Sequence, residues 1–294
     1  MNNLLCFGMG FCAQTLAQRL NPALWSVRGT ARTTEGVARL REQGFEAVRF
    51  ADALKEPARL QSPLFVLVSA PPSDGRDPVL ATFETELTGL SRNISWIGYL
   101  STTGVYGDHQ GNWVDEDSPL SPRSERAKRR VDAEGAWLAW GARSNVLVSI
   151  FRLAGIYGPG RNQLKTLRER TARRIVKPGQ VFSRIHVDDV AAVLEASMLH
   201  PPPGRIYNVC DDEPCAPHVV IEYAAQLLGV AAPPLEQFET ARSTLSPMAA
   251  SFYDESKRVR NDRMKQELNV CLQYPTYREG LRALQAADNR VEYS

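Results

Sequence analysis

The sequence predicts an α/β fold built on a doubly wound parallel sheet with a smaller C-terminal lobe. Short apolar runs alternate with stretches of helical periodicity along most of the chain, and a glycine-rich turn follows the first apolar run. Clear strand candidates are residues 64–69 and 146–153. The run at residues 4–7 is too short for its period to distinguish strand from helix, so the turn that follows it decides in favour of a strand.

The glycine turn spans residues 8–13 and reads GMGFCA. In this G-x-G-x-x-A pattern, Gly8 allows the tight turn, Gly10 lets the backbone approach a pyrophosphate, and Ala13 permits close helix packing. Phe11 and Cys12 open the helix, whose free N–H groups and positive dipole end suit phosphates. The pattern predicts a Rossmann-type dinucleotide site; a tight turn without a ligand is the alternative.

The end of the second predicted strand, residues 25–33, indicates which dinucleotide binds. An NAD site has an Asp or Glu about 20 residues after the glycines to hold the ribose hydroxyls. Here the chain carries Thr30, Arg32 and Thr33, and the first acid is Glu35. Arginine and hydroxyl groups would pair with a 2′-phosphate, which a carboxylate would repel. We expect NADP(H) in preference to NAD(H), with Arg32 as the main determinant; an ordinary solvated loop arginine is the alternative.

A cluster of hydroxyl groups ends the apolar strand within residues 99–107, which read YLSTTGVYG. The stretch resembles a strand end of the extended short-chain dehydrogenase/reductase family, also called the NAD-dependent epimerase/dehydratase family. The resemblance implies that Thr102 polarises the substrate carbonyl or hydroxyl and that Asp52 binds the adenine. We also expect Ala70 and Pro71, at the end of the fourth strand, to border the cofactor. The glycine turn departs from the usual family spacing, G-x-x-G-x-x-G, by one residue.

The family carries its catalytic base in a Tyr-x-x-x-Lys helix, but the corresponding stretch here, residues 124–137, contains no Tyr. Alignment on the two ends of this helix puts Arg126 at the Tyr position and Arg130 at the Lys position. Guanidinium stays charged near neutral pH, so Arg126 cannot take up and release a proton. We expect Arg126 to bind an anionic substrate group, with help from Arg161 or Arg184. Arg130 would contact ribose or phosphate.

The group that replaces the missing base is left open by the sequence. Tyr106 follows the hydroxyl cluster, although in the family this Tyr more often packs structurally. His109, Asp115 and Glu116 lie in the loop of residues 108–117, whose family counterpart borders the substrate, and a carboxylate there could serve if burial raised its pKa. Solvated loop charge is the alternative for Asp115. One Tyr-x-x-x-Lys does occur elsewhere, formed by Tyr253 and Lys257, and it is interpreted as a chance match.

Later motifs in the chain predict how it divides into two parts. Three stretches resemble further signatures of the family: residues 152–160 (RLAGIYGPG), 184–190 (RIHVDDV) and 205–209 (RIYNV). The resemblance implies a Rossmann domain in residues 1–158, with residues 180–211 returning to its sheet. Residues 159–294 would form mainly a substrate-binding lobe. Within that lobe, the pattern of residues 256–268 predicts a basic amphipathic helix.

Composition limits the function classes. The 294 residues include 43% hydrophobic residues and carry a formal net charge of +2, so nothing in the total favours nucleic acid or a membrane as partner. The five Cys are odd in number and form no C-x-x-C pair, which indicates reduced thiols in the cytoplasm. The four His lack metal-like spacing, so we expect no metal site. No transmembrane run or signal peptide is expected.

Three functions fit these observations. The glycine turn, Thr102 and the lobe motifs favour an NADP(H)-dependent oxidoreductase, epimerase or dehydratase acting on a small polar, anionic or sugar-like molecule. Loss of the Tyr–Lys pair favours an NADP(H)-binding sensor or regulatory protein without turnover. A structural role that uses the fold alone is the third. Members of the family often dimerise through helices that flank the sheet edge, so a homodimer is a further expectation.

Overall fold

The computed structural model describes residues 1–61, 63–73, 75–200 and 204–292. Its strands are β1 Asn2–Phe7, β2 Trp25–Ala31, β3 Glu46–Arg49, β4 Leu64–Val68, β5 Ile94–Thr102, β6 Trp113–Val114, β7 Val148–Leu153, β8 Gly155–Tyr157, β9 Arg174–Val176, β10 Arg184–His186, β11 Ile206–Val209, β12 Leu235–Gln237 and β13 Arg258–Val259. Its α-helices are α1 Phe11–Arg19, α2 Thr34–Glu42, α3 Pro78–Gly89, α4 Glu125–Ser144, α5 Gln163–Arg168, α6 Val187–Leu199, α7 Pro217–Leu228, α8 Phe238–Ala241, α9 Pro247–Ser251, α10 Asp262–Glu267 and α11 Tyr277–Glu292.

The centre of the molecule is a seven-stranded sheet in the order β3-β2-β1-β4-β5-β7-β11. Every neighbouring pair in it is parallel. The order reverses between β1 and β4, which is the switch point where α/β sheets bind ligands beyond the carboxyl ends of their strands. The predicted doubly wound, Rossmann-type α/β fold is confirmed.

Both faces of this sheet are buried, which explains the continuous apolar runs in its strands. Alternate residues of β1 point to opposite faces: Leu4 and Cys6 belong to one apolar cluster, and Leu5 and Phe7 belong to another. The first cluster packs against α1 and α6, which also contact each other. The second packs against α3 and α4 and includes large side chains from these helices, such as Trp137 of α4.

Helix α4, which carries the two arginines of interest, has well-defined ends. The Ser124 hydroxyl accepts a hydrogen bond from the Ala127 N–H at 3.2 Å and caps the start of the helix. Asn145 adopts the left-handed conformation, with φ of 53°, and ends it. The helix therefore starts one residue before Arg126, at the carboxyl edge of the sheet, and runs down its face.

Helices α2 and α10 pack on the first apolar cluster of the sheet, and most of the other elements form a smaller lobe at its carboxyl edge. It contains three two-stranded parallel pairs, β8 with β10, β9 with β12, and β6 with β13. Helices α5, α7 and α11 enclose its apolar cluster, which includes Tyr157 and Leu281. The single helix predicted for residues 256–268 is wrong: the chain forms β13 and then the shorter α10. Pairing of β13 with β6, a tertiary contact, overrides the local helical pattern.

Within the described ranges, no helix is both long and apolar enough to cross a membrane. The same residues contain no group of three or more metal-ligating side chains that could hold an ion.

Candidate functional site

The glycine turn lies at the switch point, directly after β1. Gly8 has φ of +91°, and a Cβ there would lie 3.0 Å from the Ala70 backbone nitrogen, so this position requires glycine. The Gly8 N–H donates to the Thr30 hydroxyl at 2.9 Å, and Thr30 is buried. The Ala70 N–H in turn donates to the Phe7 carbonyl at 2.9 Å. Thr30 and Ala70 therefore shape the turn from the two neighbouring strands.

The start of α1 is open to a ligand. Gly10 precedes the helix without a side-chain cap from any described residue, so the first N–H groups, those of Phe11 and Cys12, remain available. A Cβ on Gly10 would meet nothing closer than the Ser69 hydroxyl at 3.9 Å. This is the arrangement that a dinucleotide pyrophosphate needs: free donors, a positive dipole end and room for close backbone approach.

The end of β2 and the start of α2 lie next to the glycine turn, on the β2 side of the switch point. Arg32 is exposed and forms no hydrogen bond or ion pair with the described residues. The Thr33 hydroxyl caps α2 by accepting from the Gly36 N–H at 3.1 Å. Glu35 follows in the first turn, where hydrogen bonds with its own amide and with Thr33 hold the pKa of its carboxyl below its usual range. The positive charge of Arg32 and the negative charge of Glu35 therefore both lie at the end of β2.

Asp52 and Pro71 lie at the ends of β3 and β4. Asp52 forms ion pairs with Lys55 at 2.6 Å and Arg49 at 3.0 Å, and these contacts lower the pKa of its carboxyl. Pro71 is exposed. Both residues lie at the carboxyl edge of the sheet, where β4 is next to β1 and β3 is separated from β1 by β2.

Thr102 is the last residue of β5 and is only partly buried. Its hydroxyl accepts a hydrogen bond from the Gly104 N–H at 3.1 Å, which begins a 3-10 turn over residues 103–106. Tyr106 ends that turn, fully buried, where its hydroxyl donates to Asn208 Oδ1 at 2.7 Å and accepts from Arg152 Nη1 at 2.9 Å. Burial raises the pKa of Tyr106 to about 12, so this hydroxyl does not exchange protons near neutral pH.

Helix α4 presents Arg126 and Arg130 one turn apart on one face. Arg126 is exposed, and its guanidinium has no partner among the residues that the structure describes. Arg130 is buried beside β5, where Nη1 donates to the Leu100 carbonyl at 2.5 Å and to the Tyr99 hydroxyl at 3.1 Å. The other nitrogens of Arg130 make no hydrogen bond with a described residue, so the guanidinium keeps donors available for a ligand.

The remaining proposed site residues are dispersed. Asp115 is exposed, and a hydrogen bond from the Ser118 hydroxyl lowers the pKa of its carboxyl, opposite to the change that a general base near neutrality needs. The Arg184 guanidinium is engaged inside the lobe, with the Phe182 carbonyl at 3.0 Å. Lys257 Nζ donates to the Gly107 carbonyl at 2.7 Å, and no helix joins it to Tyr253.

A buried polar network beneath Thr102 had not been predicted. The Ser101 hydroxyl donates to Glu134 Oε1 at 2.5 Å, and Arg152 Nη2 donates to Glu134 Oε2 at 2.8 Å. Arg152 also donates to the Tyr106 hydroxyl, and Glu116 Oε1 accepts from the Asn208 N–H at 2.8 Å. One signal was present in the sequence: Arg152 is a lone charge inside the apolar run of residues 146–153.

The comparisons with known proteins address the region that contains these features. The model of the NAD-dependent epimerase/dehydratase family matches residues 85–210, which include Thr102, α4 and β11. Over this segment the chain is similar to that family. It is also 28% identical over 288 residues to Protein YeeZ of Escherichia coli K12, covering 94% of this chain and 97% of that protein.

Two solved structures extend the comparison over the whole chain. A functionally unknown conserved protein from Silicibacter pomeroyi is 49% identical, with a TM-score of 0.89, and the match covers 97% of this chain and 98% of that one. The dTDP-glucose 4,6-dehydratase of Bacillus anthracis, solved in complex with NAD, is 18% identical with a TM-score of 0.78. That match covers 100% of this chain and 98% of the dehydratase, and at this identity it supports the fold alone.

A nicotinamide dinucleotide, the cofactor of this family, fits the residues present. The open start of α1 suits its pyrophosphate, and Arg130, held at the end of β5 by the Leu100 carbonyl, keeps donors that suit a ribose hydroxyl. Tyr106 is buried with a raised pKa, and the pKa of the exposed Asp115 is lowered, so neither side chain suits a general base near neutral pH.

Proposed function

We propose that the protein binds NADP(H), with NAD(H) bound more weakly, and acts as an atypical oxidoreductase, epimerase or dehydratase on a small polar, anionic or sugar-like molecule. The observation that carries the proposal is the pairing of an uncapped α1 with an unpartnered Arg32 at the neighbouring strand end. The first suits the pyrophosphate, and the second suits a 2′-phosphate.

The residues around Thr102 have separate roles in this proposal. The nicotinamide ring supplies hydride transfer when the cofactor is bound. Thr102 donates a hydrogen bond to the reacting oxygen, for which its partly exposed hydroxyl at the strand end is suited. Arg126 holds an anionic group of the substrate with its fixed charge, and Arg130 holds the ribose. The proton then has to come from the substrate, from water or from a group outside these three residues.

A second function, NADP(H) binding without turnover, is favoured by one specific observation. The position of the family's Tyr holds a guanidinium, and the Tyr106 hydroxyl is buried between Asn208 and Arg152. A sensor or regulatory protein needs the cofactor site and not the proton carrier. The two functions share the same cofactor contacts and differ only in whether hydride leaves the bound cofactor.

Calorimetric titration with NADPH and NADH tests the cofactor part of the proposal. Arg32→Ala should weaken NADPH binding about tenfold, because one charge-assisted contact with the 2′-phosphate is lost, and should leave NADH binding unchanged. Arg39→Ala is the matched control, since Arg39 is also exposed and lies near the other end of α2. Equal affinity of the wild-type protein for both cofactors would contradict the preference, and no binding of either would contradict both functions.

Turnover is then tested by following NADPH absorbance with a panel of small aldehydes, ketones and phosphorylated or carboxylated sugars. Oxidation of NADPH that disappears in Thr102→Val would support the enzyme. Tight NADPH binding with no oxidation across the panel would favour the sensor.

We also propose a reducing, cytoplasmic setting for this activity. All five cysteines are free thiols, and those of Cys6, Cys12 and Cys210 are buried. Burial raises the pKa of Cys6 to about 12, which keeps this thiol protonated and unreactive. A homodimer remains part of the proposal, and light scattering of the purified chain measures it.

A further inference from the structure

The hairpin that follows β8 reaches back to the cofactor turn. Its tip is Gly158-Pro159-Gly160-Arg161, and the N–H and carbonyl of Gly158 exchange hydrogen bonds with those of Arg161 at 2.9 and 3.0 Å. Proline in the second place and a glycine with φ of +70° in the third define a type II turn. The Asn162 side chain adds a bond to the Gly158 carbonyl at 2.9 Å. These hydrogen bonds therefore hold the backbone of Arg161 in place.

This tip packs against the first residue of α1. A Cβ on Gly158 would lie 3.1 Å from Phe11 Cζ and 2.7 Å from Val187 Cγ1, so only glycine allows this close approach. Arg161 is then close enough to affect Cys12 electrostatically: burial raises the pKa of Cys12 to about 11, and the positive charge of Arg161 partly offsets that rise. The hairpin thus brings a cation to the start of α1.

None of the described residues pairs with the charge of Arg161. Its side chain is exposed, and it forms no ion pair or side-chain hydrogen bond with the described residues. Other arginines of the lobe differ in this respect, since Arg168 pairs with Asp288 and Arg173 pairs with Glu236. An unpaired guanidinium held rigidly beside uncapped helix N–H groups is complementary to a diphosphate, whose oxygens accept from both.

We propose that Arg161 binds the diphosphate of the dinucleotide, closing the cofactor site from the side of the lobe. The inference rests on the proposed function, because it requires a dinucleotide at the glycine turn. It reassigns Arg161 from the substrate, where the sequence alone had put it, to the cofactor. It also links the lobe to cofactor binding, since the hairpin belongs to the segment between β8 and α5.

The test uses three ligands that separate the two phosphate sites. NADPH carries the diphosphate and the 2′-phosphate, NADH carries only the diphosphate, and adenosine 2′-monophosphate carries only the 2′-phosphate. Arg161→Ala should weaken NADPH and NADH by the same factor, about tenfold or more, and leave adenosine 2′-monophosphate unchanged. Arg32→Ala should give the crossed pattern, weakening NADPH and adenosine 2′-monophosphate but not NADH.

Two further variants control for charge and geometry. Arg92→Ala removes the same charge from an exposed position in the turn before β5, at the opposite edge of the sheet, and should change no affinity. Arg161→Lys keeps the charge without the planar fork and should recover part of the loss. Unchanged binding of NADPH and NADH by Arg161→Ala would overturn the inference and leave the proposed function standing. Failure of the wild-type protein to bind any dinucleotide would overturn both.

Discussion

Removing the Glu134 carboxylate should destabilise the protein more than any exposed substitution on the same helix. Glu134 and Arg152 form an ion pair at 2.8 Å in which their side chains are only 4% and 3% exposed. Glu134→Ala leaves the Arg152 guanidinium buried without a counter-ion, and it also removes the acceptor for the Ser101 hydroxyl. Breaking a buried pair on one side costs about 3–5 kcal/mol of folding free energy.

Urea denaturation followed by circular dichroism measures this loss, and a matched substitution shows that burial causes it. Glu125→Ala removes another ion-paired glutamate from the same helix, but Glu125 and its partner Lys128 are 74% and 52% exposed. That change should cost less than about 1 kcal/mol. The double variant Glu134→Leu with Arg152→Met removes both charges and should be more stable than Glu134→Ala. A loss below about 1 kcal/mol for Glu134→Ala would refute this reasoning.

Two further predictions concern the neighbourhood of the site. Burial raises the pKa of Asp211 to about 8, whereas an unfolded Asp titrates near 3.9, so between these values the folded state holds the extra proton and stability falls as pH rises. Asp211→Asn should remove that slope. The free energy of unfolding of the variant, relative to that of the wild type, should therefore rise from about pH 4 to about pH 8. Parallel pH profiles of the two proteins in urea denaturation would contradict this. Gly107→Ala should cost ~3 kcal/mol or more, because Gly107 has φ of +71° and an added Cβ would clash with the Ser121 carbonyl. Thermal unfolding measures both this loss and that of a control, Gly44→Ala, which has φ of +85° and open space around it and should cost only about 1–2 kcal/mol. Equal losses in the two variants would contradict a clash at Gly107.

The parts of the fold that could be predicted are those that local pattern determines. The apolar runs of residues 64–69 and 146–153 became β4 and β7, and the glycine turn joins β1 to α1. Burial on both faces of a parallel sheet produces such continuous runs, so the signal is strong. Residues 256–268 lack that constraint, and β13 exists only because it pairs with β6.

Side-chain partners were harder to predict, because they depend on distant elements meeting in space. Arg152 is visible as a charge in an apolar strand, but its partner Glu134 lies on α4, 18 residues earlier. The role of Thr30 also depends on tertiary contact, since its hydroxyl is taken by the Gly8 N–H from the neighbouring strand. The sequence identified the residue types at the site, and the sheet determined which of them remain free for a ligand.

The polar face of α4 is fixed at its buried end and exposed at its start. Arg126, Arg130 and Glu134 follow one another at four-residue spacing, so they share one face and descend from the exposed edge into the buried network. Glu134 anchors this face through Arg152, and Arg130 anchors it through the Leu100 carbonyl. Arg126, at the exposed start of the helix, has no partner among the described residues. A fixed cation can stabilise negative charge on a substrate but cannot relay a proton, so any turnover here has to draw its proton from elsewhere.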